Sequence, residues 1–201
     1  MLEQKQADLA ELLVLAASAE SADHLIFLQQ ADGDSEGAKA ESDDMTDEEI
    51  KKWMKKIGLK EGFEKLETEY VLPMNIEEVW AIFFADDAKY NFDNAMVDLG
   101  DILESIGKWK NYDELHDEER VLKHRVITSI DKLPSNPLST TVENTRNSYL
   151  LQKSDTELVV EDMNMGAGFK YANTALTRIR WEIYQPTASS QKSVLRVSWK
   201  F

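Results

Sequence analysis

The chain of 201 residues contains no cysteine. Disulfides and thiolate metal sites are therefore excluded outright. It has no Asn-x-Ser/Thr sequon, and no basic-then-apolar leader opens it, so a reducing, cytoplasmic setting is expected. Nor does any apolar run approach the roughly 18–20 residues of a membrane span. Basic residues are outnumbered, 23 Lys and Arg against 38 Asp and Glu, for a formal net charge of -15 and a pI near 4.6. Phosphate binding needs a basic face, so nucleic acid is excluded as a partner, and simple electrostatic adsorption to anionic lipid is disfavoured. A phosphate-cradling glycine loop is missing, because Gly166-x-Gly168 lacks both the third glycine and a following helix. The three histidines fall in different elements, none with a sequence-adjacent nucleophile. No cofactor is expected, and the chain reads as a binding module rather than an enzyme.

What is present divides into four stretches. Residues 1–31 form a helical extension: Leu9, Leu12, Leu13 and Ala16 recur at helical spacing, as do Leu25 and Leu28. The expectation is an amphipathic helix that packs on the domain or on a neighbouring chain, with a helix following another domain of a longer protein as the alternative. A protein partner could dock through these N-terminal helices. Residues 32–45 turn small and acidic and read as a linker. Their Gly33-Asp34-Ser35-Glu36-Gly37 matches the G-x-S-x-G pattern by chance, since no strand, elbow and helix surround the serine. Residues 46–62 carry a short packing helix, with Thr46 and Glu49 as a capping box and Gly58 as its stop. Ile50, Trp53, Met54 and Ile57 share its apolar face.

Residues 63–201 make the main domain. Lys65 to Leu72 alternates as a first strand and Pro73 ends it. Asn75 and Glu78 then start a helix whose Ile76, Val79, Trp80, Phe83 and Phe84 form one apolar stripe. Ala88 to Asp101 mixes Tyr90, Phe92, Met96 and Val97 with Asp and Asn, which suits either a second short helix or a lid loop with apolar tips. A strand is expected over Ile106 to Lys110, then an acidic loop around His116. Asp113, Glu114, His116 and Asp117 could suggest a metal, but consecutive acids on a loop with no remote ligands read as solvated. Five strands follow, over Arg120–Ile130, Thr140–Gln152, Glu157–Met165, Ala175–Tyr184 and Val194–Phe201. The last reads as half-buried antiparallel sheet, with Leu195, Val197, Trp199 and Phe201 facing one way and Arg196, Ser198 and Lys200 the other.

A succession of phrases in this segment resembles a known family. Arg125 is followed by Pro134-Ser135-Asn136-Pro137-Leu138, Thr141-Val142-Glu143, Tyr149, Val159-Val160-Glu161, Phe169-x-Tyr171 and Arg180-Trp181-Glu182-Ile183. Together with Tyr70 to Phe84 before Asp86-Asp87, and with Gly107-x-Trp109, this order resembles the VASt domain, a StAR-related lipid-transfer-like module of GRAM-domain sterol transporters. The resemblance covers about Leu66 to Phe201. It departs at Ser139-Thr140, where the family continues with Gly-Pro, and at Tyr171-Ala172-Asn173, where Tyr-Gly-Asp is usual. Family domains also end in a long helix that closes the cavity, and this chain stops at the strand before it.

The resemblance implies an α+β helix-grip (START-like) fold, a curved antiparallel sheet around a helix and a cavity, preceded by the N-terminal helical extension. It implies binding of a sterol or similar lipid and its transfer between membranes, at a transient membrane surface and at endoplasmic reticulum contact sites through other parts of a longer protein. Candidate pocket residues are Phe83, Phe84, Trp109, Val126, Tyr149, Trp181, Ile183, Val197 and Trp199. Tyr90, Phe92, Met96 and Val97 are candidates for the lid. The alternative is an interaction module of the same fold without a working pocket, docking a larger assembly through its N-terminal helices.

Overall fold

Thr46 and Glu49 form the reciprocal cap written into the sequence. The Thr46 Oγ1 accepts from the Glu49 backbone N–H, and the Glu49 carboxylate accepts from the Thr46 N–H. They start α1, Asp47–Met54. Asn75 and Glu78 repeat the device at the head of α2, Ile76–Val79. The computed structural model describes residues 45–58, 63, 65–88, 90, 91, 94, 97, 101–132, 141–167 and 176–200. The expected extension 1–31, the acidic segment up to residue 44 and the phrases Leu133–Leu138 and Gly168–Asn173 lie outside them.

The strands are β1 Lys65–Leu72, β2 Ile102–Ile106, β3 Lys110–Asn111, β4 Leu115–His116, β5 Glu119–Arg120, β6 Lys123–Lys132, β7 Thr141–Lys153, β8 Glu157–Ala167, β9 Leu176–Tyr184 and β10 Ser193–Lys200. All but β4 and β5 join one antiparallel sheet in the order β1-β10-β9-β8-β7-β6-β2, with β3 also on β6. β4 and β5 pair as a small hairpin of their own. The chain enters the sheet at one edge, β1, and next joins it at the other, β2. The connecting segment carries α2, which therefore lies across one face, called here the inner face.

This architecture corrects the expected α+β helix-grip fold. Among the described residues strand outweighs helix, 53% to 16%, and two short helices accompany one large sheet. α1 has eight residues, and α2 is four α-helical residues running into a five-residue π-helical turn, Trp80–Phe84. The apolar stripe of α2 is real, but it belongs to a short cover on a sheet.

Two further differences concern the strands. The strand expected over Ile106 to Lys110 is two strands, β2 and β3, broken at Gly107. There the Gly107 N–H donates to the Val126 carbonyl at 2.8 Å, and a Cβ would stand 2.7 Å from that same oxygen. Backbone approaches the β6 edge too closely for any side chain, so the ladder is interrupted. β10 is also not half-buried, because Ser193 through Ser198 are all buried. Val194 packs under Ile50 and Met54 of α1. Arg196, only 4% exposed, lies buried under α1 and caps it, its Nη2 donating to the Met54 carbonyl at 3.0 Å and its Nη1 to the Gly58 carbonyl at 2.7 Å. A helix end leaves carbonyls without intrahelical partners, and a guanidinium supplies several donors at once.

Candidate functional site

Strand alternation sorts β6 to β10 into an inner and an outer face. Nearest β1, the inner face is apolar. Leu158, Ile183, Leu195 and Tyr70 pair across it in one row, and Leu150, Val160, Trp181 and Val197 in the next. α2 covers these rows with Ile76, Val79, Phe83 and Phe84. It is held there from the sheet side: the Ile76 N–H donates to the Gln185 Oε1 at 2.9 Å, and the Ser193 Oγ donates to the Met74 carbonyl at 2.8 Å.

One row further the chemistry changes. Arg125, Ser148 and Asp162 stand in register on neighbouring strands, followed by Ile179 and Trp199. Beyond them come Ile127, Arg146, Asn164 and Thr177. Arg125, Arg146, Ser148 and Asp162 are all buried. The Asp162 carboxylate accepts from the Ser148 Oγ at 2.5 Å and from the Trp181 Nε1 at 2.9 Å, which ties the polar row to the apolar one.

An aromatic group meets this junction. Trp80 stacks on Phe84 (centroids 6.2 Å apart) and lies 5.7 Å from Trp109, while Phe84 meets Trp181 edge-on at 6.5 Å. The π-helical turn ends with the Ala85 N–H on the Trp80 carbonyl at 2.8 Å. The Phe84 carbonyl then accepts from the Trp109 Nε1 at 2.6 Å and from the Arg125 Nη1 at 3.3 Å. The Arg125 guanidinium also lies over the Trp109 ring, 4.5 Å from its centroid. The Trp109 N–H donates to Asp86 at 2.9 Å, fixing that side chain from behind.

Burial pushes the pKa of Arg125 below its ordinary value, with Asp162 and Asp86 opposing that shift; burial does the same to Arg146, opposed by Asp162. Both guanidiniums stay charged at any physiological pH. The Arg125 Nε and the Asn164 Oδ1 are buried with no hydrogen-bond partner among the described residues.

Six of the nine candidate pocket residues belong to this inner-face assembly: Phe83, Phe84, Trp109, Trp181, Ile183 and Val197. Trp199, half-buried, continues the Asp162 row by register. The other two are not brought to it. Val126 is on the outer face and 39% exposed. Tyr149 is on the outer face too, stacked between His116 and His124 with centroids at 4.0 and 5.0 Å. Of the lid candidates, Tyr90 packs half-buried on the inner core and Val97 is exposed; Phe92 and Met96 lie outside the described residues. Arg125, Ser148, Asp162 and Asn164 are the residues a composition-led reading passes over. Their signal is parity, since 125 on one strand, 148 on the next and 162 with 164 on the third all point inward.

The outer face carries a second charged assembly. Glu161, 1% exposed, accepts from Arg178 and from Arg180 (3.1 Å) and lies 3.0 Å from the His116 Nε2. Asp117 pairs with Arg178 and Lys200, and Glu119 with Arg180 at 2.9 Å, so the β4–β5 hairpin is held down by ion pairs. His116 and Asp117 are thus engaged with the sheet, and no group of three or more His, Asp or Glu among the described residues could hold a metal ion.

The chain matches no family model and no characterised protein. The likeness to the VASt domain rests on the sequence phrases quoted for it. No helix among the described residues is long and apolar enough to cross a membrane.

Proposed function

We propose that the chain binds a lipid, a sterol or a similar apolar molecule, on the inner face of its sheet and moves it between membranes without covalent chemistry. One observation carries this reading: the aromatic group of Trp80, Phe84, Trp109 and Trp181 borders a buried row of convergent polar side chains. An apolar wall with a few placed polar groups is the usual make-up of a small-molecule site. The ordered phrases shared with the VASt domain support the same ligand class, and Tyr90 to Val97 would provide the lid.

The test is uptake of a fluorescent sterol from liposomes by the full chain. Saturable binding, with lipid retained in native mass spectra, is the expected result. A signal that never saturates, together with lipid-free spectra, overturns the reading. A second reading, a protein-interaction module, draws on Met165 and Leu176, register partners that both lie exposed. It gains ground only if no lipid is retained.

A further inference from the structure

Arg125 is an anomaly in electrostatic terms. Its side chain is among the buried ones, 6% exposed, and a guanidinium offers five donors. Among the described residues it makes one hydrogen bond, to the Phe84 carbonyl, and one ring contact, to Trp109. Its Nε has no hydrogen-bond partner among those residues. The two carboxylates that act on it are engaged elsewhere. Both oxygens of Asp162 accept, from Ser148 and Trp181, and Asp86 accepts from the Trp109 backbone. Buried charges are ordinarily paired, because desolvating one costs several kcal/mol. A second buried polar atom without a partner, the Asn164 Oδ1, lies on the next row of the same face.

Resting on the reading of a lipid site given above, we propose that Arg125 receives the ligand's head group and that the ligand is a monoanionic, carboxylate-bearing lipid. A carboxylate is planar and presents two acceptors that match the guanidinium fork, in short charge-assisted bonds. A neutral hydroxyl answers one donor and brings no counter-charge into hydrogen-bonding range. A phosphate monoester, at about -1.5 to -2 near pH 7, would bring a second negative charge close to Asp162 and Asp86, which already act on this guanidinium. The aromatic and aliphatic neighbours, Trp109, Ile127 and its register partner Ile106, suit the first carbons of an apolar body.

The experiment uses the full chain and compares oleate, oleyl alcohol and cholesterol as displacers of a fluorescent fatty acid. Oleate and oleyl alcohol share a tail and differ only in head group. The expected result is that oleate binds about tenfold or more tighter than the alcohol, the scale of charge-assisted hydrogen bonds. Arg125→Gln, checked for folding by circular dichroism, should remove the preference, so that oleate binds the variant no tighter than the alcohol does. Arg125→Lys, which keeps the charge and loses the fork, should fall between. Equal affinity of acid and alcohol on the wild-type chain overturns the proposal, and so does a preference that survives in folded Arg125→Gln. If the glutamine variant does not fold, the wild-type comparison alone decides. Cholesterol and the alcohol binding as well as the acid would remove the anionic assignment while leaving the lipid site standing. No binding of the fluorescent fatty acid or of any of the three, together with no uptake of the fluorescent sterol, would remove both.

Discussion

Gly107 shows how much one residue can decide. Its role is steric: no Cβ fits against the Val126 carbonyl. Gly107→Ala is expected to destabilise the chain by about 1–3 kcal/mol, the usual cost of forcing atoms into a packed site, read as a lowered urea midpoint at unchanged slope. An unchanged midpoint would mean that the edge is free to relax. The same break frees Trp109 to turn its ring onto Trp80 and its Nε1 onto Phe84. At this scale Trp181 was legible as a buried residue from its aromatic character. Arg125 was not, because a charged residue on a strand is ordinarily read as outward until its register partner is known to be Ser148 on a covered face.

At the scale of elements, the helices were the most readable parts. Capping is local chemistry within four residues, so Thr46–Glu49 and Asn75–Glu78 predict helix starts without knowledge of the fold. Thr46→Ala and Asn75→Ala should each cost about 1 kcal/mol, measured as separate shifts in thermal or urea unfolding. Of the two, Asn75→Ala should also loosen the seat of α2, read as faster hydrogen exchange at Val79 and Phe83. Equal exchange in both variants would detach the cap from the site. The π-helical turn that follows has no such local signature. Packing on the sheet brings Phe83 and Phe84 inward together and leaves the Phe84 carbonyl for Trp109 and Arg125. The strand starts and ends of β1 and β7 to β10 fell close to their sequence limits, since period-2 alternation is also local.

For the molecule as a whole, two opposite faces carry two different kinds of burial. The inner face is covered by α2, the outer by α1 and by the ion-paired β4–β5 hairpin. Burial pushes the Glu161 carboxyl up, but hydrogen bonds from His116 and Arg178 outweigh it and hold the group below its ordinary value of 4.5. The unfolded chain therefore binds this proton more readily than the folded one. Glu161's contribution is complete above about pH 4.5 and is lost as pH falls through the lower, folded value. Urea midpoints should accordingly decline on acidification below that pH, and Glu161→Gln should flatten that part of the decline. At neutral pH the same substitution leaves two buried arginines short of a partner and should cost about 3–5 kcal/mol. A variant with wild-type stability and an unchanged acid limb would show that the network is not coupled to folding.

The sequence by itself determined the elements whose causes lie within a few residues: the two capped helix starts, the alternating strands and the exclusion of thiol chemistry. It also suggested aromatic candidates, of which Phe83, Phe84, Trp109 and Trp181 share one core cluster with α2. Tertiary structure alone decided the fold class, because elements read one by one do not show how they assemble, and among the described residues a single large sheet outweighs two short helices. It alone decided which face each strand residue serves, sending Tyr149 and Val126 outward and burying Arg125 and Arg196. The physical reason is that alternation fixes two faces but not what covers them. Coverage comes from α1, α2 and the β4–β5 hairpin, whose positions depend on contacts made across the whole length of the chain.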